Sequence, residues 1–416
     1  MKTRFGFIPV HSLLVKDEDT VNKIVGSYIK ALEKIGGKRW TKADLKNPKP
    51  LFYLMVTGGT EGLLLNWNTE RNKYIKNEPV CLLAHPTHNS LPASLEVLAR
   101  IQQDDMKGQI FYSNGPNDKN VFNQLEKALH NLEVLFALKR MRIGLVGTPS
   151  DWLVASNPNP ETLKKIWGPT VVPISMEEMK ESLQTVNPES IKTIFESLVN
   201  GAKEIREPSQ TDLEENVKVY IALKQVIEKY NLDVISVRCF DLVLDQKTTG
   251  CFALAQLTDE DIIAGCEGDL VSTLSMLWTS KLLGQIPWMA NPAQLNEDNN
   301  TLRLAHCTVP RSIVKEYTLR SHFESGIGVG IQGTIAQGPV TLLRIGGNNL
   351  DKLWIAEGEI MQSSNSEDLC RTQVEVKLIS VTVKDLLQSP LGNHLILVKG
   401  HHADELQEWW KNMIAY

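Results

Sequence analysis

The chain has 416 residues, with 44 basic against 49 acidic side chains, a net charge of -5, and 42% hydrophobic residues. That length exceeds what one hydrophobic core holds, so two or three domains are expected, and the composition excludes a largely disordered chain. The mild acidity excludes the basic footprint of a nucleic-acid binder, and no apolar run approaches the roughly 18 residues of a membrane span.

In chain order, Arg4–Val10 reads as a short buried strand, which Pro9 and His11 interrupt before it can serve as a signal-peptide core. A helix is expected around Val21–Ile35. The apolar run Leu51–Val56 stops at Thr57-Gly58-Gly59-Thr60-Glu61, and Val80–Ala84 stops at His85-Pro86. Helical periodicity follows over Pro92–Ile101 and Val121–Leu138. A second strand–helix series starts at Arg142–Gly147 and continues through Asp212–Tyr230 and Val234–Val237. Strands alternating with helices predict parallel sheets covered on both faces. After about residue 290 the texture becomes short, β-rich and punctuated by Gly, Asn and Ser, as in an antiparallel sheet or small barrel, before a closing helix at His402–Met413. The expected division is residues 1–140, 141–288 and 289–416. The fold class is α/β: two Rossmann-like three-layer domains followed by a C-terminal antiparallel β-barrel-like domain.

The six cysteines contain no C-x-x-C pair, which argues against a zinc ribbon, and Cys81, Cys251 and Cys307 read as small reduced core residues. Gly328-Val329-Gly330-Ile331-Gln332-Gly333 fits a dinucleotide fingerprint literally. It lies in a β-like stretch with no helix after it, so a glycine-bent strand is the expectation. The loop His85-Pro86-Thr87-His88-Asn89-Ser90 sits where parallel sheets bind ligands, as does the loop carrying Glu61. His85 and His88 could contact a polyol or metal, or the loop could simply cap a helix through Asn89 or Ser90. In Cys266-Glu267-Gly268-Asp269, two carboxylates open the apolar helix Leu270–Leu283. Either both serve capping, or one caps while the other faces a cleft as metal ligand or base. His306, His322 and His394 are strand-associated histidines whose spacing alone does not show that they meet.

Several of these segments together resemble the L-fucose isomerase and L-arabinose isomerase superfamily, in its shorter fucose-isomerase-like branch. They are Ala264-Gly265-Cys266-Glu267-Gly268-Asp269, Leu304-Ala305-His306-Cys307, Gly392-Asn393-His394, Gly338–Arg344 and Gly147–Leu153. The resemblance implies an aldose–ketose isomerase acting on a sugar with a divalent metal, usually manganese, and no organic cofactor; a cytoplasmic protein is expected from the interrupted signal-like stretch and the thinly spread cysteines. It implies Glu267 as metal ligand and acid/base, and His306 and His394 as further ligands. It also implies a homo-oligomer, trimer or hexamer, whose first domain walls a neighbour's site and makes His85, His88 and Asn89 substrate-facing. Glu61, by its place after a strand, and His322 are the further substrate-binding candidates. Where the superfamily carries a second carboxylate, this chain has Asn291. Asparagine can offer a carbonyl oxygen to a hard cation but accepts no proton at neutral pH. Asp269 is therefore the nearest candidate second acid, with Asn291 a weak fourth ligand. A lyase or epimerase on a modified sugar, or a sugar-binding relative without turnover, are the alternatives.

Overall fold

The computed structural model describes residues 3–15 and 17–414. Packing divides the chain into two units, one running to Ala137 and rejoined from Glu408, the other spanning Leu138–Gln407.

The first unit is built on a five-stranded parallel sheet of β1 (Phe5–Val10), β2 (Gly37–Arg39), β3 (Leu51–Met55), β4 (Val80–Ala84) and β5 (Gly108–Tyr112), in the order β2-β1-β3-β4-β5. Every residue of β1, β3 and β4 is buried. These strands therefore read as unbroken apolar runs, because helices cover both faces of a parallel sheet. Asp17 caps the first helix, Glu18–Lys34, by accepting from the Thr20 amide, which supplies one of the donors that a helix start leaves unpaired.

The second unit begins with a parallel sheet of β6 (Arg142–Val146), β7 (Thr170–Ile174), β9 (Val234–Val237) and β10 (Ala264–Cys266), ordered β10-β9-β6-β7. Between them, the short β8 (Glu204–Ile205) joins β13 (Val314–Arg320) and β14 (Gly330–Ile335) in a three-stranded sheet. The helix Leu270–Leu283 is buried along almost its whole length, which is why its sequence is apolar all round rather than amphipathic. Six strands then close an antiparallel barrel: β11 (Trp288–Asn296), β12 (Thr301–His306), β15 (Gly338–Gly346), β16 (Lys352–Ser364), β17 (Thr372–Leu378) and β18 (Leu395–Lys399), in the order β11-β12-β17-β16-β15-β18. Closure leaves no free edge in this sheet. The α/β class with two parallel sheets and a C-terminal antiparallel barrel is thus the architecture found.

The glycine run at 328–333 enters and begins β14, with Gly328 at φ +60° beside Thr249 just before the strand and Gly330–Gly333 within it, and no helix follows it. No described helix is long and apolar enough to cross a membrane.

Candidate metal centre and its cavity

At the carboxyl end of β10 the chain turns through Glu267 and Gly268, both in the left-handed region at φ 63° and 69°. The Gly268 amide bonds to the Val237 carbonyl, and the Glu267 carbonyl accepts from the Ser150 amide at 2.9 Å. A Cβ at position 268 would lie 2.8 Å from the Thr148 carbonyl oxygen and 2.9 Å from Pro149 Cα, so only glycine fits. The turn delivers Glu267 to a cavity wall and Asp269 to the N-cap of the helix Leu270–Leu283. There the Asp269 carboxylate accepts from the Ser272 amide at 2.8 Å.

The barrel supplies two histidines. His306 is the last residue of β12, and His394 directly precedes β18. Their rings meet edge to face, 5.5 Å between centroids. One ligand atom from each of Glu267, His306 and His394 can be chosen so that all three lie within 4.8 Å of one another, and all three residues are buried. His394 Nδ1 donates to Asp269 Oδ2 at 2.9 Å, while its Nε2 is buried without a hydrogen-bond partner, 3.6 Å from Glu267 Oε1. His306 Nδ1 is paired with the Thr308 hydroxyl at 2.8 Å, which leaves Nε2 for the cavity. Trp152 donates its indole N–H to Glu267 Oε2 at 2.6 Å.

Burial and charge pull these groups in opposite directions. Burial pushes the Glu267 carboxyl up, but His394 and the Trp152 indole outweigh it and leave the group below its ordinary value. Asp269 is fully buried, which also pushes it up, yet Arg344 and His394 hold it well below the carboxylate range. Burial works against a charge on His394, but the Asp269 and Glu267 carboxylates hold it up at about 9. Burial, with the neighbouring His394, lowers His306 to about 4. Beneath this layer, Arg344 of β15 reaches Asp269 at 3.3 Å and bonds to the hydroxyls of Ser272 and Ser156. Gly392, at φ +150°, passes so close to that guanidinium that a Cβ would sit 2.5 Å from Nη2.

Glu267 and His306 open onto a cavity of about 390 Å³ that is also lined by Trp152, Phe240, Asn291, His322, Glu324 and five cysteines. Trp152 and Phe240 pack edge to face at 4.9 Å, and Phe240 packs likewise on His322 at 5.7 Å. The structure therefore brings Glu267, His306, Asn291 and His322 together around one cavity, with His394 completing the donor set from behind. Asp269 belongs to the same constellation but lies under it rather than on the wall. Its oxygens are committed to Ser272, His394 and Arg344.

The remaining sequence-derived candidates lie in the first unit. Glu61 opens the helix Glu61–Tyr74 after β3, and His85, His88 and Asn89 form the turn after β4. His88 and Asn89 are left-handed at φ 57° and 56°. His85 is buried with both ring nitrogens engaged, Nε2 by the Val56 carbonyl at 3.1 Å and Nδ1 by the Thr87 hydroxyl at 3.0 Å.

With this geometry in hand, comparison with known proteins is informative. No family model matches the chain. Sulfoquinovose isomerases from Priestia aryabhattai and Priestia megaterium are each 24% identical to it over 314 residues, covering 72% of this chain and 68% of theirs. One from Alkalicoccus urumqiensis is 22% identical over 306 residues at the same coverage. These relatives support a sugar isomerase. They bear out the expected aldose–ketose isomerase class.

Several residues of the site were not singled out in the sequence. Trp152 and Arg344 fall within segments that carry the resemblance, yet nothing there sets them against Glu267 and Asp269, and Thr308 carries no signal until folding sets it against His306. Glu324 follows His322 in a loop and was legible only as its neighbour. Cys251 and Cys307 are buried, free thiols as expected, yet they line the cavity with Cys239, Cys266 and Cys370.

Proposed function

We propose that this chain is a divalent-metal-dependent aldose–ketose isomerase of the fucose-isomerase-like kind, with Glu267, His306 and His394 as the metal ligands and manganese as the ion. The observation that carries this reading is the buried, partnerless Nε2 of His394. An imidazole nitrogen without a partner in a buried site is costly, and here it faces a carboxylate and a second imidazole at ligand spacing. One carboxylate oxygen and two imidazoles suit a divalent ion of the manganese or zinc type. Asp269 fits the arrangement as the carboxylate behind a ligating histidine: because it is ionised it keeps a hydrogen on His394 Nδ1, so that Nε2 is the nitrogen from which a metal would displace the proton.

Isomerisation moves one proton from C2 of the aldose to C1 and one between the two oxygens, so nothing is gained or lost overall. A bound metal would polarise those oxygens and lower the cost of the ene-diolate. Glu267, ionised at neutral pH, takes the carbon-bound proton in this reading, with the Trp152 N–H fixing one oxygen so that the other keeps its aim. Asn291 lines the cavity as a neutral oxygen donor and carries no proton. Glu324 is the other carboxylate of the cavity wall, and we assign it the oxygen-to-oxygen transfer. Asp269 then positions His394 and transfers no proton. We also propose a homo-oligomer in which Glu61, His88 and Asn89 contact substrate, while His85, expected to join them, is buried with both ring nitrogens engaged and holds their turn; an active, strictly monomeric species in sedimentation would remove that part.

Sulfoquinovose, the sugar in the relatives' name, is the first substrate to try. Among the described residues lining the cavity there is no Lys or Arg, and a buried sulfonate without a cation loses hydration that nothing restores. The uncharged aldose of the same configuration is therefore expected to show the lower KM. The deciding experiment measures retained manganese after dialysis and turnover of both sugars, for the wild type and Glu267→Gln. Near-stoichiometric metal and ketose formation in the wild type, with turnover reduced by about 10³-fold in the variant, is expected. Tight sugar binding without C2 proton exchange in deuterated water would instead mean a binding protein.

A further inference from the structure

Five of the six cysteines line the cavity, and isomerisation uses none of them. Two of them meet at one end of a parallel sheet. Cys266 ends β10 and Cys239 opens the helix Cys239–Gln246 just after β9. The two strands are parallel neighbours with Cys266 in register with Val237, so both thiols emerge at the same sheet end. Their sulfurs are 2.9 Å apart, about 0.9 Å longer than a disulfide bond. Both residues are nearly closed to outside solvent, at 6% and 5% exposure, yet both face the cavity.

We propose that Cys239 and Cys266 are a reversible oxidation site for a small hydroperoxide admitted by the cavity. Cys239 is the first to react, from the start of its helix at the cavity wall. Its sulfur attacks one peroxide oxygen, the O–O bond breaks, and Cys239 becomes a sulfenic acid while an alcohol or water leaves. The Cys266 sulfur then displaces the hydroxyl, which departs as water with the Cys266 proton. Two thiols and one hydroperoxide thus give one disulfide, one alcohol and one water, and a small dithiol reverses the change. The disulfide stands independently of the isomerase reading. Its consequence for the site rests on that reading: Cys266 is bonded to Glu267, and drawing it toward Cys239 pulls on the left-handed turn that aims the proposed ligand.

The test treats the full chain with one equivalent of hydrogen peroxide and maps its peptides without reduction. Expected are a Cys239–Cys266 cross-link, the loss of two titratable thiols per chain, and their return on treatment with dithiothreitol. Cys239→Ser should lose the cross-link, and Cys266→Ser should stop at a sulfenic acid on Cys239 that a dimedone probe traps. An unchanged thiol count, over-oxidation without a cross-link, or a cross-link among Cys251, Cys307 and Cys370 overturns the proposal. Retained manganese is measured on the same oxidised and reduced samples. Less metal after oxidation is expected. If the reduced form retains none, the metal reading fails while the cross-link result still decides this one.

Discussion

Two buried histidines, one at a strand end of each unit, show how unlike such positions can be. His85 follows β4 and His394 precedes β18, and both have almost no exposed surface. Burial lowers His85, a neutral ring whose two nitrogens are answered by the Val56 carbonyl and the Thr87 hydroxyl. His394 has a hydrogen-bonded carboxylate on one nitrogen and no hydrogen bond on the other, only the Glu267 carboxylate 3.6 Å away. The first arrangement is complete as folded, and the second is complete only with a further ligand. Satisfaction of the ring nitrogens, rather than burial or position on a strand end, separates a histidine that holds a turn from one left able to take a metal.

The contrast is broken most severely by His394→Gln. Removing the ligand itself should cost more than the about 10–100-fold in metal affinity that loss of a partner one bond further out costs. Manganese titration followed by paramagnetic resonance checks it, and unchanged affinity would dissolve the distinction between the two histidines. Asp269→Asn comes next. Asparagine still caps the helix, but it no longer dictates the His394 tautomer, so affinity should fall by about 10–100-fold while far-UV circular dichroism stays the same. A larger collapse in stability would show that the Arg344 ion pair, not the histidine, is what Asp269 serves. The smallest effect on metal is expected from His85→Gln, whose metal content should match the wild type. Its cost should appear as about 1–3 kcal/mol of unfolding stability from the groups left unpaired, read by denaturant titration. Loss of metal in this variant would give His85 a part in the centre.

What was legible in the sequence follows from what is local. The runs Leu51–Val56 and Val80–Ala84 could be read as buried parallel strands because both faces are covered, and the helix Leu270–Leu283 because its apolar run has a capping carboxylate before it. Strand β7 was hidden by Pro173, tolerated because β7 is an edge of its sheet. Strand β11 was hidden by Pro292, where its register with β12 shifts. At the site, the Cys266–Asp269 segment announced itself, since two carboxylates before an apolar helix need a reason. Nothing local says that His306 and His394 converge on it; only the resemblance did. Trp152 and Arg344 act across 115 and 75 residues of chain, a separation at which one sequence holds no pairing signal. Asp269 looked like chemistry beside Glu267, because sequence adjacency does not reveal that the intervening left-handed turn sends the two side chains to different layers.

That same long reach governs when the centre can exist. The Asp269–His394 contact closes a separation of 125 residues, and the donors come from the sheet-to-helix turn, the end of one barrel strand and the start of another. Loop-closure entropy makes such contacts late events in folding. A small zinc domain can be nucleated by its ion, because its ligands lie close along the chain. Here an ion would meet the full proposed set of ligands only after the last barrel strand has docked. Metal would therefore slow unfolding of the finished unit while leaving its folding rate nearly untouched.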